Sequence, residues 1–204
     1  MTNRMALMLS ILPLATLAGC AGLALDCPTC LTTSPPRVQV AHVSAIYDGT
    51  AAFVGSVPAR GGQPIFTGDQ FYTGAGTKME ITFEDGGATV VLDANTDPSI
   101  IEIAQCFWIR LSTGSMTVTN QRKTCVDAGG SKFTQSSYVL YSVQGGRVIV
   151  AVFNGSSTMN DPPGYTINAG QILLLQNGVP VGPPRPMKQA ESNRLQAWIP
   201  RVIL

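Results

Sequence analysis

Residues 68–96 read GDQFYTGAGTKMEITFEDGGATVVLDANT, and this stretch decides the fold. Lys78–Glu84 alternates polar and apolar residues, which places its apolar side chains on one face of a strand. Ala88–Leu92 is short, β-branched and apolar, as is typical of a second strand. Between them, Asp85-Gly86-Gly87 predicts a tight hairpin, because glycine adopts positive φ at no steric cost. The stretch therefore predicts a β-meander that packs against further strands.

The rest of the chain repeats this pattern of short apolar runs and turn residues. The 21 glycines and 14 prolines are spread through the sequence, and the spacing predicts about ten to twelve short strands. We therefore expect an all-β fold of stacked short strands, forming a β-solenoid-like or curled two-sheet sandwich. Met187–Ala197 is the only helix candidate and is expected to cap the stack. Asn120–Ser131 is polar and contains glycine, and it lies outside the predicted strands.

Charge excludes one class of partner. Charged residues make up only 12% of the 204 residues, and the formal net charge is +1. Such a chain has no basic field to attract nucleic acid, so we expect no nucleic-acid partner.

The first residues have the pattern of a lipoprotein signal peptide. Arg4 supplies the positive charge, Ala6–Thr16 supplies a short apolar core, and Leu17-Ala18-Gly19-Cys20 matches a lipobox. We expect residues 1–19 to be removed and Cys20 to carry diacylglycerol and palmitate. Because Ala21 is not the aspartate that retains many lipoproteins at the inner membrane, we expect the outer membrane, facing the periplasm. An ordinary secretory signal that happens to contain a cysteine is the alternative.

Of the five cysteines, Cys20 is expected to carry lipid. Four thiols remain, those of Cys27, Cys30, Cys106 and Cys125. An even number in an oxidising compartment suggests two disulfides with three possible connectivities. We favour Cys106–Cys125, because these residues flank a predicted strand pair, and Cys27–Cys30 would then close on itself.

Four segments follow from these patterns. They are the signal peptide (1–19), a lipidated tether (20–37), a β domain (38–182) and a tail with a short helix (183–204).

Candidate chemical sites are weak. His42 is the only histidine and alternates with valines in a predicted strand, and the sequence has no GxSxG elbow. Cys27-x-x-Cys30 has the spacing of half a zinc site or of a redox motif, but it lies in a polar tether. Glu80 and Glu84 share the polar face of one strand, as a glycosidase-like pair would require, but alternating strands always place polar groups outward, which favours a solvated face. Asp93-x-Asn95-x-Asp97 has calcium-loop character but fits a turn better. We predict no enzyme activity, no metal and no cofactor.

Several of these motifs together resemble the FecR-type periplasmic domain. They are Gly68-Asp69 with Thr73-Gly74, the run Ile81–Gly86, Val91–Thr96 and Leu111–Val118. The resemblance covers roughly residues 38–181 and implies a β domain that senses a transport event and signals inward to a sigma factor.

The chain departs from that family in two ways. A lipobox stands where the family has a cytoplasmic anti-sigma segment and a membrane helix, and no clear G-T-x-F segment follows Tyr138. We therefore expect a lipid-anchored binding, scaffolding or sensing module with a protein or envelope-polymer partner. The alternative is a periplasmic enzyme or a thiol-redox protein that uses Cys27 and Cys30.

Overall fold

The computed structural model describes residues 37–84, 87–103 and 106–197, which form fifteen β-strands and one α-helix. The first eight strands are β1 (Gln39–Tyr47), β2 (Ala52–Val54), β3 (Val57–Pro58), β4 (Pro64–Phe66), β5 (Phe71–Thr73), β6 (Lys78–Phe83), β7 (Ala88–Leu92) and β8 (Asp97–Ile103). The others are β9 (Cys106–Ala128), β10 (Ser131–Gln144), β11 (Arg147–Met159), β12 (Thr166–Asn168), β13 (Gln171–Gln176), β14 (Val179–Pro180) and β15 (Arg185–Pro186). Helix α1 is Gln189–Gln196. The predicted all-β class with a short helix in the tail is confirmed.

The strands form two antiparallel sheets. In the large sheet, twelve strands follow the order β14-β13-β11-β10-β9-β7-β6-β1-β4, with β12 on β11, β15 on β13 and β8 on β9. The small sheet has the order β3-β2-β5. The large sheet does not close into a barrel within the described residues, because its path ends at β14 and β4.

The central meander forms as the alternation predicts. In β6 every second side chain is buried, and β7 pairs with it in the register Ile81↔Val90 and Met79↔Leu92. These four side chains are at most 1% exposed, so the pairing fixes which face of the sheet meets the core. The predicted hairpin residues Asp85 and Gly86 lie outside the described residues.

Residues 120–131 lie outside the strands predicted from the sequence, yet most of them are strand. Strand β9 continues to Ala128, and β10 begins at Ser131 and pairs with it through Cys125↔Thr134 and Val126↔Phe133. The polar composition was misleading because the backbone hydrogen bonds of this segment come from a neighbouring strand, which local propensity does not register. Likewise, the separate strands expected on either side of Thr113-Gly114 are one strand that turns a corner at Gly114, where φ is 96°.

The long strands β9, β10 and β11 bend together. The β9–β10 and β10–β11 registers shift beside Ser137, which has φ of 86°, and its partner Gly155 has φ of 74°. Beyond the bend, β9 returns towards its own beginning, since the Gly129 N–H donates to the Leu111 carbonyl at 3.0 Å. The large sheet therefore curls over itself.

One hydrophobic core lies inside the curl and receives side chains from both sheets. Its largest fully buried side chain is Tyr141, which packs against Phe133 with ring centroids 5.6 Å apart. The Tyr141 hydroxyl is hydrogen-bonded to the Ser157 hydroxyl at 3.0 Å and lies 3.3 Å from Gln135 Oε1, to which it donates. The buried phenol thus keeps hydrogen-bond partners, without which its burial would be costly.

No helix in the described part of the chain is long and apolar enough to cross a bilayer. Helix α1 has eight residues, and Leu195 packs on the face of the large sheet that points away from the core.

Candidate functional site

The face of the large sheet that points away from the core, here called the outer face, carries two chemically different strips. The polar strip lies on β1 and β6 and the apolar strip on β10, β11 and β13. The polar strip comprises His42, Ser44, Tyr47, Glu80, Thr82 and Glu84. The apolar strip comprises Leu140, Ile149, Ala151, Phe153, Ile172 and Leu174. The strands between the two strips carry Thr89, Val91, Ser115, Thr117 and Thr119 on this face.

In the polar strip, hydrogen bonds join β1 to β6. His42 Nδ1 lies 3.0 Å from Glu84 Oε1, and the nitrogen is the donor because an ionised carboxylate only accepts. The Gln39 side-chain amide donates to the same oxygen at 2.9 Å. The Tyr47 hydroxyl donates to Glu80 Oε2 at 2.9 Å. Both glutamates predicted to share this strand face are thus engaged with β1.

Two pKa shifts follow from these contacts. The hydrogen bond from His42, and next that from Gln39, lowers the pKa of Glu84 below its ordinary value. Partial burial raises the pKa of Tyr47, and its hydrogen bond to Glu80 acts in the same direction. Both shifts favour the protonation states that the cross-strand pairing needs, an ionised Glu84 and a protonated Tyr47.

The strip does not have the connectivity of a hydrolase triad. The Ser44 hydroxyl, two residues along β1, hydrogen-bonds to the Thr82 hydroxyl and not to His42. His42 contacts one carboxylate, and a triad needs a nucleophile on the other ring nitrogen. The arrangement is that of a hydrogen-bonded sheet surface available for polar contacts.

The apolar strip is an outward-facing hydrophobic cluster. Leu140, Ala151 and Ile172 are at most 3% exposed, while Ile149, Phe153 and Leu174 are half-buried. The ring of Tyr138 lies against Phe153 with centroids 5.1 Å apart. Residues of this kind on a sheet face mark a surface that another chain segment covers.

Helix α1 is fixed on this side of the sheet by a bidentate ion pair. Arg185 Nη1 donates to Glu191 Oε2 at 2.9 Å and Nη2 donates to Oε1 at 2.6 Å. The Lys188 N–H also donates to Glu191 Oε2, at 2.9 Å, which caps the first turn. The hydrogen bonds from Arg185, and next that from the Lys188 backbone, lower the pKa of Glu191 to about 2. The ion pair ties α1 to β15, which pairs with β13.

The predicted Cys106–Cys125 disulfide is present, with Cα atoms 6.0 Å apart. Both cysteines lie in β9, on the two sides of the corner at Gly114, so the bond ties the ends of one bent strand and not two separate strands. Beside it, Arg110 Nε donates to Asp127 Oδ2 at 3.2 Å. Cys20, Cys27 and Cys30, the predicted lipid and redox positions, lie outside the described residues.

The acidic segment after β7, Asp93-x-Asn95-x-Asp97, forms a turn, as the sequence predicts. Asn95 has φ of 56°, a conformation that asparagine tolerates. Desolvation raises the pKa of half-buried Asp93. Among residues 37–84, 87–103 and 106–197, no three His, Cys, Asp or Glu side chains are grouped so as to hold a metal ion.

Sequence reasoning did not single out the apolar strip. The signal was present in β11, where Val148–Phe153 is an unbroken apolar run. Such a run indicates a strand buried on both faces, whereas an alternating strand has one face in water. The polar strip, in contrast, follows from alternation in β6.

Comparison with solved structures shows a shared fold. Two crystal structures of a candidate anti-sigma factor from Parabacteroides distasonis superpose with TM-scores of 0.53 and 0.52 at 14% sequence identity. Each match covers 64% of this chain, and 64% and 63% of the other, so this chain spans less than two thirds of that protein. No protein-family model matches the sequence, and no curated protein matches it.

Proposed function

We propose that this protein is a lipid-anchored component of the bacterial cell envelope whose FecR-like β domain binds a protein partner as a sensing or scaffolding module. The observation that carries the proposal is the β fold shared with the candidate anti-sigma factor of P. distasonis. The motifs of residues 68–118 that resemble FecR domains support the same proposal.

The surface chemistry favours binding over catalysis. The polar strip presents ionised Glu84 and the Tyr47–Glu80 pair on the same face as the apolar strip. A combination of apolar area with a hydrogen-bonding margin is the usual composition of a protein–protein interface. The carboxylates of Glu80 and Glu84, which the sequence offered for acid–base catalysis, accept hydrogen bonds from side chains of β1.

The lipid anchor is tested by Cys20→Ala. The thiol of Cys20 is the acceptor of diacylglycerol in the proposal, so the variant loses labelling by a fatty-acid probe and leaves the membrane fraction. Cys27→Ala serves as the matched control, because it removes a nearby thiol and keeps the lipobox. Labelling of the Cys20 variant equal to that of the control would show that the anchor is elsewhere or absent.

The binding role is tested by photo-crosslinking in intact cells. A photoreactive residue at Thr89 or His42, on the outer face, is expected to give discrete adducts with one protein partner. The control position is Ser112, an exposed residue on the part of β9 before the corner. The same adducts at all three positions, or none at the two outer-face positions, would contradict a binding role for this face.

A further inference from the structure

Three polar side chains stand in one row inside the core, beside the bend of the large sheet. Thr124 on β9, Gln135 on β10 and Ser157 on β11 are register partners on consecutive strands. The row two positions along the same strands consists of core residues, so these three side chains also point inwards. None of the three is more than 8% exposed. They are here called the inner polar row.

The hydrogen bonds of the described residues leave one donor of this row unpaired. The Tyr141 hydroxyl donates to Gln135 Oε1 at 3.3 Å and lies 3.0 Å from Ser157 Oγ. Because a hydroxyl has one hydrogen, Ser157 is the donor in the second bond, and its oxygen can still accept. Gln135 Nε2 is buried and has no hydrogen-bond partner in the described part of the chain. A buried amide donor therefore stands beside an oxygen with free accepting capacity.

Thr124 adds a second donor to the row. Its Oγ1 accepts a hydrogen bond from Asn120 Nδ2 at 2.6 Å. Among residues 37–84, 87–103 and 106–197, no acceptor is found for the hydrogen of the Thr124 hydroxyl. Burying such donors without a partner costs free energy. The row thus needs a group that accepts from Thr124 and Gln135 and donates to Ser157.

A water molecule matches both the chemistry and the spacing of the row. Buried waters typically make about three hydrogen bonds to polar groups that would otherwise be unsatisfied. Paired residues on neighbouring strands have Cα atoms about 4.5 to 5.5 Å apart, and a water with two hydrogen bonds of about 2.8 Å joins atoms about 4.6 Å apart. The row carries amide and hydroxyl groups and no charge, which favours a neutral ligand over an ion.

We propose that the inner polar row binds one internal water molecule. The water accepts hydrogen bonds from Gln135 Nε2 and the Thr124 hydroxyl and donates one to Ser157 Oγ. This closes a ring in which each group donates to the next. Gln135 donates to the water, the water to Ser157, Ser157 to Tyr141, and Tyr141 back to Gln135 Oε1. Hydrogen bonds aligned in this way strengthen one another.

The water also joins this ring to the bend. Asn120 Oδ1 accepts a hydrogen bond from the Ser137 N–H at 2.5 Å, and the Asn120 amide donates to Thr124. Since Thr124 donates to the water, one network runs from the positive-φ residue Ser137 to the buried phenol of Tyr141. The site is internal, so it stands whatever partner the protein binds at its surface.

Oxygen-17 relaxation dispersion of the solvent tests the proposal, because it detects bound water molecules and not exchanging hydroxyl protons. The protein is the full chain with Cys20→Ala, which removes the predicted lipid. Gln135→Met removes the amide at similar side-chain length and is expected to lower the dispersion amplitude by the contribution of one water. Gln144→Met, an exposed change on the same strand, is the matched control and is expected to leave the amplitude unchanged. Equal amplitudes in Gln135→Met and the parent chain, with equal circular dichroism, would overturn the proposal.

A crystal structure of the same parent chain gives a readout that needs no substitution in the row. We expect density for one water within about 3.2 Å of Gln135 Nε2, Thr124 Oγ1 and Ser157 Oγ. A direct hydrogen bond from Gln135 Nε2 to a protein acceptor, or a row without density for a water, would overturn the proposal.

Discussion

At the scale of single residues, the bend in the large sheet depends on three residues, Asn120, Ser137 and Gly155. Ser137 and its partner Gly155 both have positive φ. The buried Asn120 accepts a hydrogen bond from the Ser137 N–H at 2.5 Å and donates to the Thr124 hydroxyl at 2.6 Å. A non-glycine residue in this conformation is costly, and the Asn120 side chain holds Ser137 in it.

Gly155→Ala tests the bend. A Cβ at this position would lie 2.3 Å from the Ser136 carbonyl oxygen, so the backbone must shift in addition to adopting an unfavourable φ. We expect a loss of about 3 kcal/mol in the free energy of unfolding, measured by denaturant titration.

Gly170→Ala separates the two causes of that loss. Gly170 has φ of 77°, and no atom lies within 4 Å of the position that a Cβ would occupy there. The variant is expected to lose about 1 kcal/mol. Equal losses at the two glycines would show that the close approach at Gly155 is unimportant.

At the scale of elements, strand identity was predictable and strand length was not. Alternation in Lys78–Glu84 and β-branching in Ala88–Leu92 depend on local sequence, and β6 and β7 appear where those patterns are. The polar residues 120–128 and 131–137 extend β9 and β10 because each strand supplies the other's hydrogen bonds. The sequence did not predict what packs on the outer face of β11, because an apolar run alone does not indicate what covers the second face of a strand.

The disulfide fixes the corner of β9. It joins residues 19 apart in sequence, and closing a loop of that size stabilises by about 3 kcal/mol in the chain-entropy model. We expect Cys106→Ser with Cys125→Ser to lower the free energy of unfolding by about this amount. Cys27→Ser with Cys30→Ser is the control and is expected to leave it unchanged. A larger effect of the control pair would place the structural crosslink in the tether.

The ion pair on α1 has a definite pH dependence. The pKa of Glu191 is lowered to about 2 in the folded protein, whereas an unperturbed glutamate titrates near about 4.3. A depressed carboxyl pKa stabilises the folded state above the unfolded value, and this contribution disappears as the pH falls from about 4 towards about 2. We expect the protection of residues 188–196 against hydrogen exchange, taken relative to the unfolded chain at the same pH, to hold down to about pH 4 and to fall below it.

Glu191→Gln is expected to accelerate that exchange already at neutral pH, because it removes the charge that Arg185 and the Lys188 N–H recognise. Arg194→Gln, an exposed change on the same helix, is the control. Equal exchange in the two variants would show that the ion pair does not hold α1.

At the scale of the whole molecule, one core unites the small sheet with both arms of the curled large sheet. Ala52, Val54 and Phe71 of the small sheet are buried in the same cluster as Val126 and Phe133 beyond the bend. The curl itself could not be derived from sequence, because it arises where registers shift at Ser137 and where Gly114 packs against Thr96. Neither contact leaves a periodic signal.

A shared core predicts a single cooperative unfolding transition. Trp108 on β9 reports on the large sheet in a Trp198→Phe background. Tyr72→Trp in a Trp108→Phe, Trp198→Phe background reports on β5 of the small sheet. We expect the two fluorescence transitions in urea to coincide with each other and with far-UV circular dichroism. An earlier transition at position 72 would mean that the small sheet unfolds on its own.

The position of β1 in the large sheet has a mechanical consequence. β1 is the strand nearest the proposed membrane tether, and it lies between β4 and β6 instead of at the edge. A pull on Arg37 along the strand axis therefore loads the ladders on both sides in shear, and many hydrogen bonds must slip together before any one is free. The same pull on an edge strand would peel bonds in turn, at lower force. A partner that pulls on this domain through β1 would thus move the sheet as a rigid body.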